Sequence, residues 1–575
     1  MDFSTSRTFN GGTGTASLII GGGVTNTASV TTTLAGNGIL TNLIGCSDAT
    51  QFTNIFSVAS NASWTLLDNS SSIPITTSVQ LDMLGGTFTF GGPGSAPVLT
   101  STIQNGNGNN FRLGNTVGVP ATFNMVNGTL YLPNARLNTG LGANCIAQLN
   151  QTGGTLSLGL MQSSDSSANA LTMMNLTGGT FTVTNAGTFF LASRGTGIVT
   201  VASSSIVNCG TLDMSRNAAG NTSGSQGTVN LNAGGTINCS RVGCATSASQ
   251  SGPPTAGPVP TATFNFNGGT LMANASSATF FQGNASGPAI PITSIVKSGG
   301  AIIDTSSNAI SILEPLQHDA TLGATQDGGL LKRGAGTLTL AAVSTYTGNT
   351  TVSNGTLVVN GTLGVTAVTV ATNATLSGTG SMGSNVTVNV GGTVAPGTAG
   401  TLGILTVVSN VTLLGTASMD INATTLTNDV LKAGSITYGG ALTVTNVAGT
   451  LAAGSFKLFT APTITGTFAA TNLPVLPAGL GWVTTNLANG IVSIVQTVNT
   501  APTNITTVVS GNTLTLSWPA DHTGWRLQVQ TNSLGNGLNP ATNAWFTVSG
   551  SASVNSVNAT LDSANGTVFY RMVYP

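Results

Sequence analysis

Charge is what this 575-residue chain lacks. Lys and Arg together number 13, Asp and Glu 14, and charged residues make up 5% of the chain, against about 25% in an ordinary soluble domain. Glu314 is the single Glu. The nine Arg are scattered from Arg7 to Arg571, and the formal net charge is −1. Nucleic acid and anionic lipid are bound through basic stripes, so neither is expected as a partner. So few ionisable groups also predict a stability curve nearly flat from about pH 4 to 9.

Long apolar runs are absent too, although hydrophobic residues reach 40%. A membrane helix needs about 20 apolar residues together. The nearest approach, "LGILTVVSNVTLLG" from Leu402, is interrupted by Thr, Ser and Asn, so no membrane span is expected. No basic segment with an apolar run follows Met1, so any export signal is expected to lie outside this sequence. Cysteine is scarce: Cys46, Cys145, Cys209, Cys239 and Cys244 form an odd set with no CxxC. Small buried core thiols are the expectation, with Cys239 and Cys244 alone near enough in sequence for a loop disulfide.

In place of charge stand Thr, Ser, Asn and 77 glycines. Disordered chains lack the Val, Leu, Ile and Phe needed for a core, and here those residues are plentiful and fall at period two. Glycine density and the lack of a 3.6-residue pattern exclude long helices. The expected class is all-β.

The alternation comes in repeats. "ATFNMVNGTLYL" from Ala121, "AQLNQTGGTLSL" from Ala147 and "ATFNFNGGTLMA" from Ala262 align without a gap. With the Thr of each GGT-like turn as marker (Thr129, Thr155, Thr180, Thr211, Thr236, Thr270), the steps are 26, 25, 31, 25 and 34 residues. Thr337, Thr356, Thr375 and Thr393 then step by 19, 19 and 18. Phe264 and Phe266 are expected on one face, with Asn265 and Asn267 on the other. Near Thr236 the apolar pair Val229 and Leu231 is shifted by one residue, which suggests a bulge. Two-residue hairpins in antiparallel sandwiches would also place Gly-Gly between alternating runs. A recurring step over many units favours a parallel β-solenoid, in which each coil lies on the last. Asn at matching places would then form amide ladders.

From Gly328 the text reads "GGLLKRGAGTLTLAAVSTYTGNTTVSNGTLVVNGTLG". It resembles the autotransporter-associated β-strand repeat of bacterial secreted passengers, with Lys332, Gly334, Gly336, Thr337, Leu338, Leu340, Tyr346, Thr347, Gly348, Thr350, Val352, Gly355, Thr356 and Leu357 in place. The following part to about Val495, with "DVLKAGSITYGGALTVTNVAGTLAAGSFKLFTA", looks like the closing section of such passengers. The resemblance implies a right-handed β-helix outside a bacterial cell, and it does not imply catalysis. Nothing here could supply an autotransporter's membrane barrel. After "QTVNTAPTNITT" the composition shifts, with Trp518, Trp525 and Trp545 close together. That end resembles a small C-terminal β-sandwich module of large bacterial extracellular proteins. The expected division is 1–320 irregular solenoid, 321–498 passenger-type repeat region and 499–575 sandwich.

Motifs for chemistry are sparse. "GTGSMG" from Gly378 fits GxGxxG, but a strand-like "SNVTVNV" follows where a dinucleotide site needs a helix. There is no GxSxG, and the two histidines, His318 and His522, have no zinc spacing. Asp521-His522 reads as a turn. Asp304, Glu314, His318, Asp319 and Asp327 form the densest acidic region; a polysaccharide-cleaving or calcium site would need paired carboxylates, and a charged loop joining two solenoid regions is the simpler reading. No catalytic residue, metal or cofactor is expected. The leading functional expectation is a non-enzymatic extracellular structural protein, a surface fibre, sheath or adhesin that assembles head-to-tail with itself. The alternatives are a polysaccharide-degrading β-helix enzyme and a carbohydrate-binding surface protein, with surface or matrix polysaccharide as the further candidate partner.

Overall fold

In the coil that starts at Ala121 the chain makes three straight segments and returns above its starting point. Ala121–Met125 forms the first side. Thr129–Thr139 supplies the second and third, its register slipping between Leu132 and Arg136 where it turns the corner. Ile146–Gln151 then lies parallel above Ala121–Met125, with Ala121 opposite Ala147 and Met125 opposite Gln151. Repetition of this step builds a three-sided parallel β-solenoid. The computed structural model describes nearly all of residues 111–574, omitting 115, 164–168, 185–186, 217–223, 245–259, 285–289, 399 and 478; before residue 111 it describes the strands and a few positions between them. Cys46 lies outside the described residues.

The first side is a 12-stranded parallel sheet from Ala16–Ile20 to Leu316–His318. The other two sides merge into a 38-stranded sheet, because strands such as Thr129–Thr139 turn a corner without breaking. The stack runs unbroken past residue 320: Ala301–Asp304 pairs with Leu330–Arg333, and Ala309–Ile312 with Thr337–Leu340. A small antiparallel sheet of Gly454–Lys457, Leu480–Val483 and Ile491–Gln496 follows near the far end, adding Phe456, Val492 and Ile494 to the core. Two three-stranded antiparallel sheets follow in residues 506–573, packed on Leu516, Trp518 and Leu527. No helix among the described residues is long and apolar enough to cross a membrane.

Alternation explains the packing. Phe264 and Phe266 are fully buried, their rings 4.5 Å apart, and Phe281 from the third side meets them at 5.4 and 5.9 Å. Each such burial contributes about 1.5–3 kcal/mol, so a narrow core suffices when it is repeated along the stack. On the outer surface of the first side a column runs Thr89, Asn124, Asn150, Asn175, Thr200, Asn230, Asn265. Asn150 Nδ2 donates to Asn124 Oδ1 and Asn175 to Asn150, both at 2.9 Å, and Asn265 donates to Asn230 at 2.8 Å. The expected amide ladder is there, interrupted by Thr200.

Two details of the sequence reading are corrected. The Thr column of the second side passes through Ile206, not Thr211, which pairs with Thr188 and Arg241 on the third side. The true steps from Thr129 to Thr270 are therefore 26, 25, 26, 30 and 34 residues. There is also no bulge near Thr236, since Val229 and Leu231 sit opposite Phe264 and Phe266 without slippage. The extra residue lies in the corner, closed by Gly235 N–H donating to Asn232 C=O at 3.0 Å.

Corner length is uneven. Between the first and second sides the connection is short from Ala121 onward, as from Met125 to Thr129 and from Phe266 to Thr270, and longer in the coil before, from Phe90 to Val98. Gly179 shows why glycine is needed there: its φ is +74°, and a Cβ would stand 2.3 Å from the Gly154 carbonyl oxygen of the coil beside it. Between the third and first sides the connection varies in length, short from Met83 to Gly86 and longer from Ser163 to Leu171, Asp213 to Gln226, Gly243 to Thr261 and Gln282 to Ile292.

Candidate functional site

The acidic region lies where a solenoid coil carries an extra short turn, Ala320–Leu322. Asp319 caps that turn: its Oδ1 accepts from Thr321 N–H at 3.1 Å and Thr321 Oγ1 at 2.8 Å, while Oδ2 meets Lys297 Nζ at 3.0 Å. Asp327 is buried and fully engaged. Its Oδ1 accepts from the Gly329 and Gly348 N–H groups at 2.9 and 2.8 Å, and its Oδ2 from Thr347 N–H at 2.8 Å and His318 Nδ1 at 2.8 Å. The other His318 nitrogen, Nε2, stands 3.1 Å from the Gly323 carbonyl. Asp304 accepts from Ser306 N–H at 2.7 Å, and Glu314 from Gly283 N–H at 2.8 Å. Each carboxylate thus holds backbone or a neighbouring cation. Among the described residues no group of three or more His, Cys, Asp or Glu could hold a metal ion.

The segment that follows shows what the repeat residues do. Lys332 is wholly buried, and its Nζ donates to Thr305 Oγ1 (3.0 Å) and to the carbonyls of Arg333 (3.0 Å), Gly334 (2.6 Å), Gly336 (2.8 Å) and Asn354 (2.9 Å). These carbonyls belong to successive corners that point inward, so one ammonium gathers what the sheets leave unpaired. Burial pushes the Lys332 pKa down to about 8, with Asp304 opposing the shift. Tyr346 fills the core, and its hydroxyl lies 2.6 Å from Thr350 Oγ1, which meets Thr366 Oγ1 at 2.9 Å. Thr347 and Gly348 hold Asp327. A Cβ at Gly348 would come within 2.3 Å of the Asp327 carbonyl oxygen, so glycine is required where the turn docks.

Other candidates resolve into scaffold. Within "GTGSMG" lies the strand Ser381–Met382 and after it comes the strand Val386–Val388, with no helix to receive a phosphate. His522 is buried in the turn Ala520–His522; its ring contacts Asp521 Oδ1 and the Ala501 carbonyl, each at 2.8 Å, and so ties down the connection into the C-terminal sheets. Cys145, Cys209, Cys239 and Cys244 are free and buried. Sequence reasoning missed Asp429, buried and accepting from Gly403 N–H at 2.8 Å and Asp420 N–H at 2.9 Å, its pKa pushed up to about 6 by burial. No spacing signalled it, because its partners are backbone groups.

The linked charges mark where stability should depend on pH, against the expectation of a nearly flat profile. The Lys297 ammonium and then Thr321 hold the Asp319 pKa down. Burial works against ionised Asp327, but Thr347 N–H, His318 and the Gly348 and Gly329 N–H groups overcome it and lower its pKa. Asp327 raises the His318 pKa. The lowered carboxylates contribute stability above their ordinary range near pH 4, lost as pH falls through the folded values. The raised histidine contributes stability below about pH 6.5, lost as pH rises through its folded value. Asp429 acts in the opposite sense to the other two carboxylates, stabilising most in acid and losing that contribution as pH rises through about 6. Thermal unfolding of the native chain should therefore lose stability relative to Asp327→Asn on both sides of about pH 5–6. Parallel melting curves for the two proteins from about pH 3 to 9 would show that the cluster is not linked to folding.

Comparison with known proteins agrees with this geometry. No curated protein matches the chain. Residues 330–359, which span Lys332, Tyr346, Thr347 and Gly348, match the family described as passenger-associated-transport-repeat. The chain therefore carries an autotransporter passenger-type repeat, set in register within a parallel β-solenoid.

Proposed function

We propose that this chain is a non-enzymatic extracellular structural protein of a bacterial surface, a fibre, sheath or adhesin built as a solenoid passenger. The observation that carries the reading is the use of polar groups at the candidate site: Asp319, Asp327, Lys332 and His318 bind their own coils. A polysaccharide-cleaving site needs an acid and a base aimed at substrate. Incubation with uronic-acid polymers should release no unsaturated or reducing ends, and steady release would establish the enzyme reading instead.

Self-assembly is the second half of the proposal. Among the described residues, Arg7–Asn10 and Ala16–Ile20 each pair on one side only, with Val30–Ala35 and Asn37–Leu43. At the other end Thr463–Gly466 and Ala470–Asn472 also pair on one side only. Unpaired strand edges invite another chain, and near-zero net charge offers little repulsion. Unlike ends joined head-to-tail propagate as a filament unless rotation closes them. Negative-stain images of purified protein should show filaments, and deletion of residues 1–34 should abolish them. A full-length protein that stays monomeric at high concentration would sink the filament.

A further inference from the structure

We propose that Cys209 and Cys239 are a disulfide site, a covalent staple between two adjacent coils that closes by thiol–disulfide exchange while this part of the solenoid is still folding. Sequence spacing singles out Cys239 and Cys244, but the coil geometry selects a different pair. Ile206–Asn208 lies beneath Thr236–Cys239 in parallel register, with Ile206 opposite Thr236, Val207 opposite Ile237 and Asn208 opposite Asn238. One step further along both strands, Cys209 stands opposite Cys239. The step is tied in place by Cys209 N–H donating to Asn238 C=O at 3.0 Å and Asn238 Nδ2 donating to Asn208 Oδ1 at 3.1 Å.

Both thiols point the same way. Asn208 and Asn238 face outward, so the next residue on each strand faces the core, and Cys209 and Cys239 are buried at 4% and 0% exposure. Stacked parallel strands lie about 4.8 Å apart, inside the roughly 4.4–6.8 Å between Cα atoms that a disulfide spans. The neighbouring Cys209 thiol, together with burial, raises the Cys239 pKa. The other described cysteines are turned elsewhere: Cys145 Sγ donates to Gly114 C=O at 3.3 Å, and Cys244 sits beside Asp213.

The chemistry balances with a small-molecule disulfide as oxidant. One protein thiolate attacks it and releases one small thiol; the second protein thiolate then attacks the mixed disulfide and releases the other. Two protein thiols are oxidised, and one disulfide is reduced to two thiols. Thiolates do this work, and buried thiols are inert. The staple must therefore form before the coils close over it.

The test uses the full chain, unfolded with reductant and refolded either in reductant or in oxidised glutathione, with circular dichroism confirming β-structure in both. After alkylation and digestion, the oxidised arm should yield a peptide joining Cys209 to Cys239, two hydrogens lighter than its reduced parts. Oxidised glutathione added after folding should leave both thiols free until the protein is denatured. The Cys239→Ser variant should fold and leave Cys209 alkylatable. Recovery of both cysteines as free thiols from the refolded oxidised arm would overturn the proposal, as would Cys239 joined to Cys244. A link that forms equally well after folding would overturn its timing.

Discussion

Replacing Lys332 with Met should destabilise the coil it occupies by about 2–4 kcal/mol, although methionine nearly fills the same volume. The loss comes from the five oxygens around Nζ, four of them backbone carbonyls with the ammonium at their centre. Each buried acceptor left without a donor costs about 1–3 kcal/mol, and corner relaxation toward water recovers part of the sum. Lys332→Ala should be worse, because it also leaves a cavity. In a stacked array each coil contacts only its neighbours, so the damage should appear locally. Hydrogen exchange in residues 330–359 should accelerate strongly in Lys332→Met, while exchange around Phe123 stays as it was. Unchanged protection over 330–359 would mean that the lysine is a passenger in its own repeat.

Phe266→Ala should cost about 3–5 kcal/mol, the usual range for emptying a large aromatic site in a packed core. Phe266 has no exposed surface and sits between Phe264 at 4.5 Å and Phe281 at 5.9 Å. The strand carrying it pairs along its length with Gln226–Asn232 on one edge and Ile292–Val296 on the other, so the backbone is held and the cavity cannot readily collapse. Phe266→Leu, which keeps most of the volume, should lose less than half as much. Urea unfolding read by far-ultraviolet dichroism should resolve the two variants. Equal midpoints for Phe266→Ala and the native chain would place that ring outside the core.

Much of this fold was legible in the sequence because a solenoid writes its geometry locally. The alternation of Phe264 and Phe266 with Asn265 and Asn267 assigns inside and outside without knowledge of any distant contact. The matching Asn residues announced stacking, and their hydrogen bonds run from coil to coil as that pattern requires. Register was less legible. Thr211 carries the right turn sequence on the wrong side of the prism, while Ile206, which lacks the motif, stands in the column. A β-branched residue of either kind satisfies a half-buried strand position, so the motif alone could not decide. The purpose of the acidic residues was also hidden: Asp327 is written for Thr347 and Gly348, twenty residues on, and its partners are mostly backbone N–H groups.

The edge between the third and first sides carries the longest connections from residue 139 to 292, and that has a consequence for how such a molecule can change. At the corner between the first and second sides, a Cβ at Gly179 would meet the backbone of the coil beside it at 2.3 Å, so insertion there disturbs the stack. At the edge between Gly243 and Thr261 the chain between strands is longer, and the strands on both sides keep their partners. Doubling a loop there costs only about 0.6 kcal/mol in closure entropy. New segments can therefore be acquired along this line, one per coil, without displacing the paired strands. That edge is where added length costs least, and it is the natural place to graft a foreign epitope.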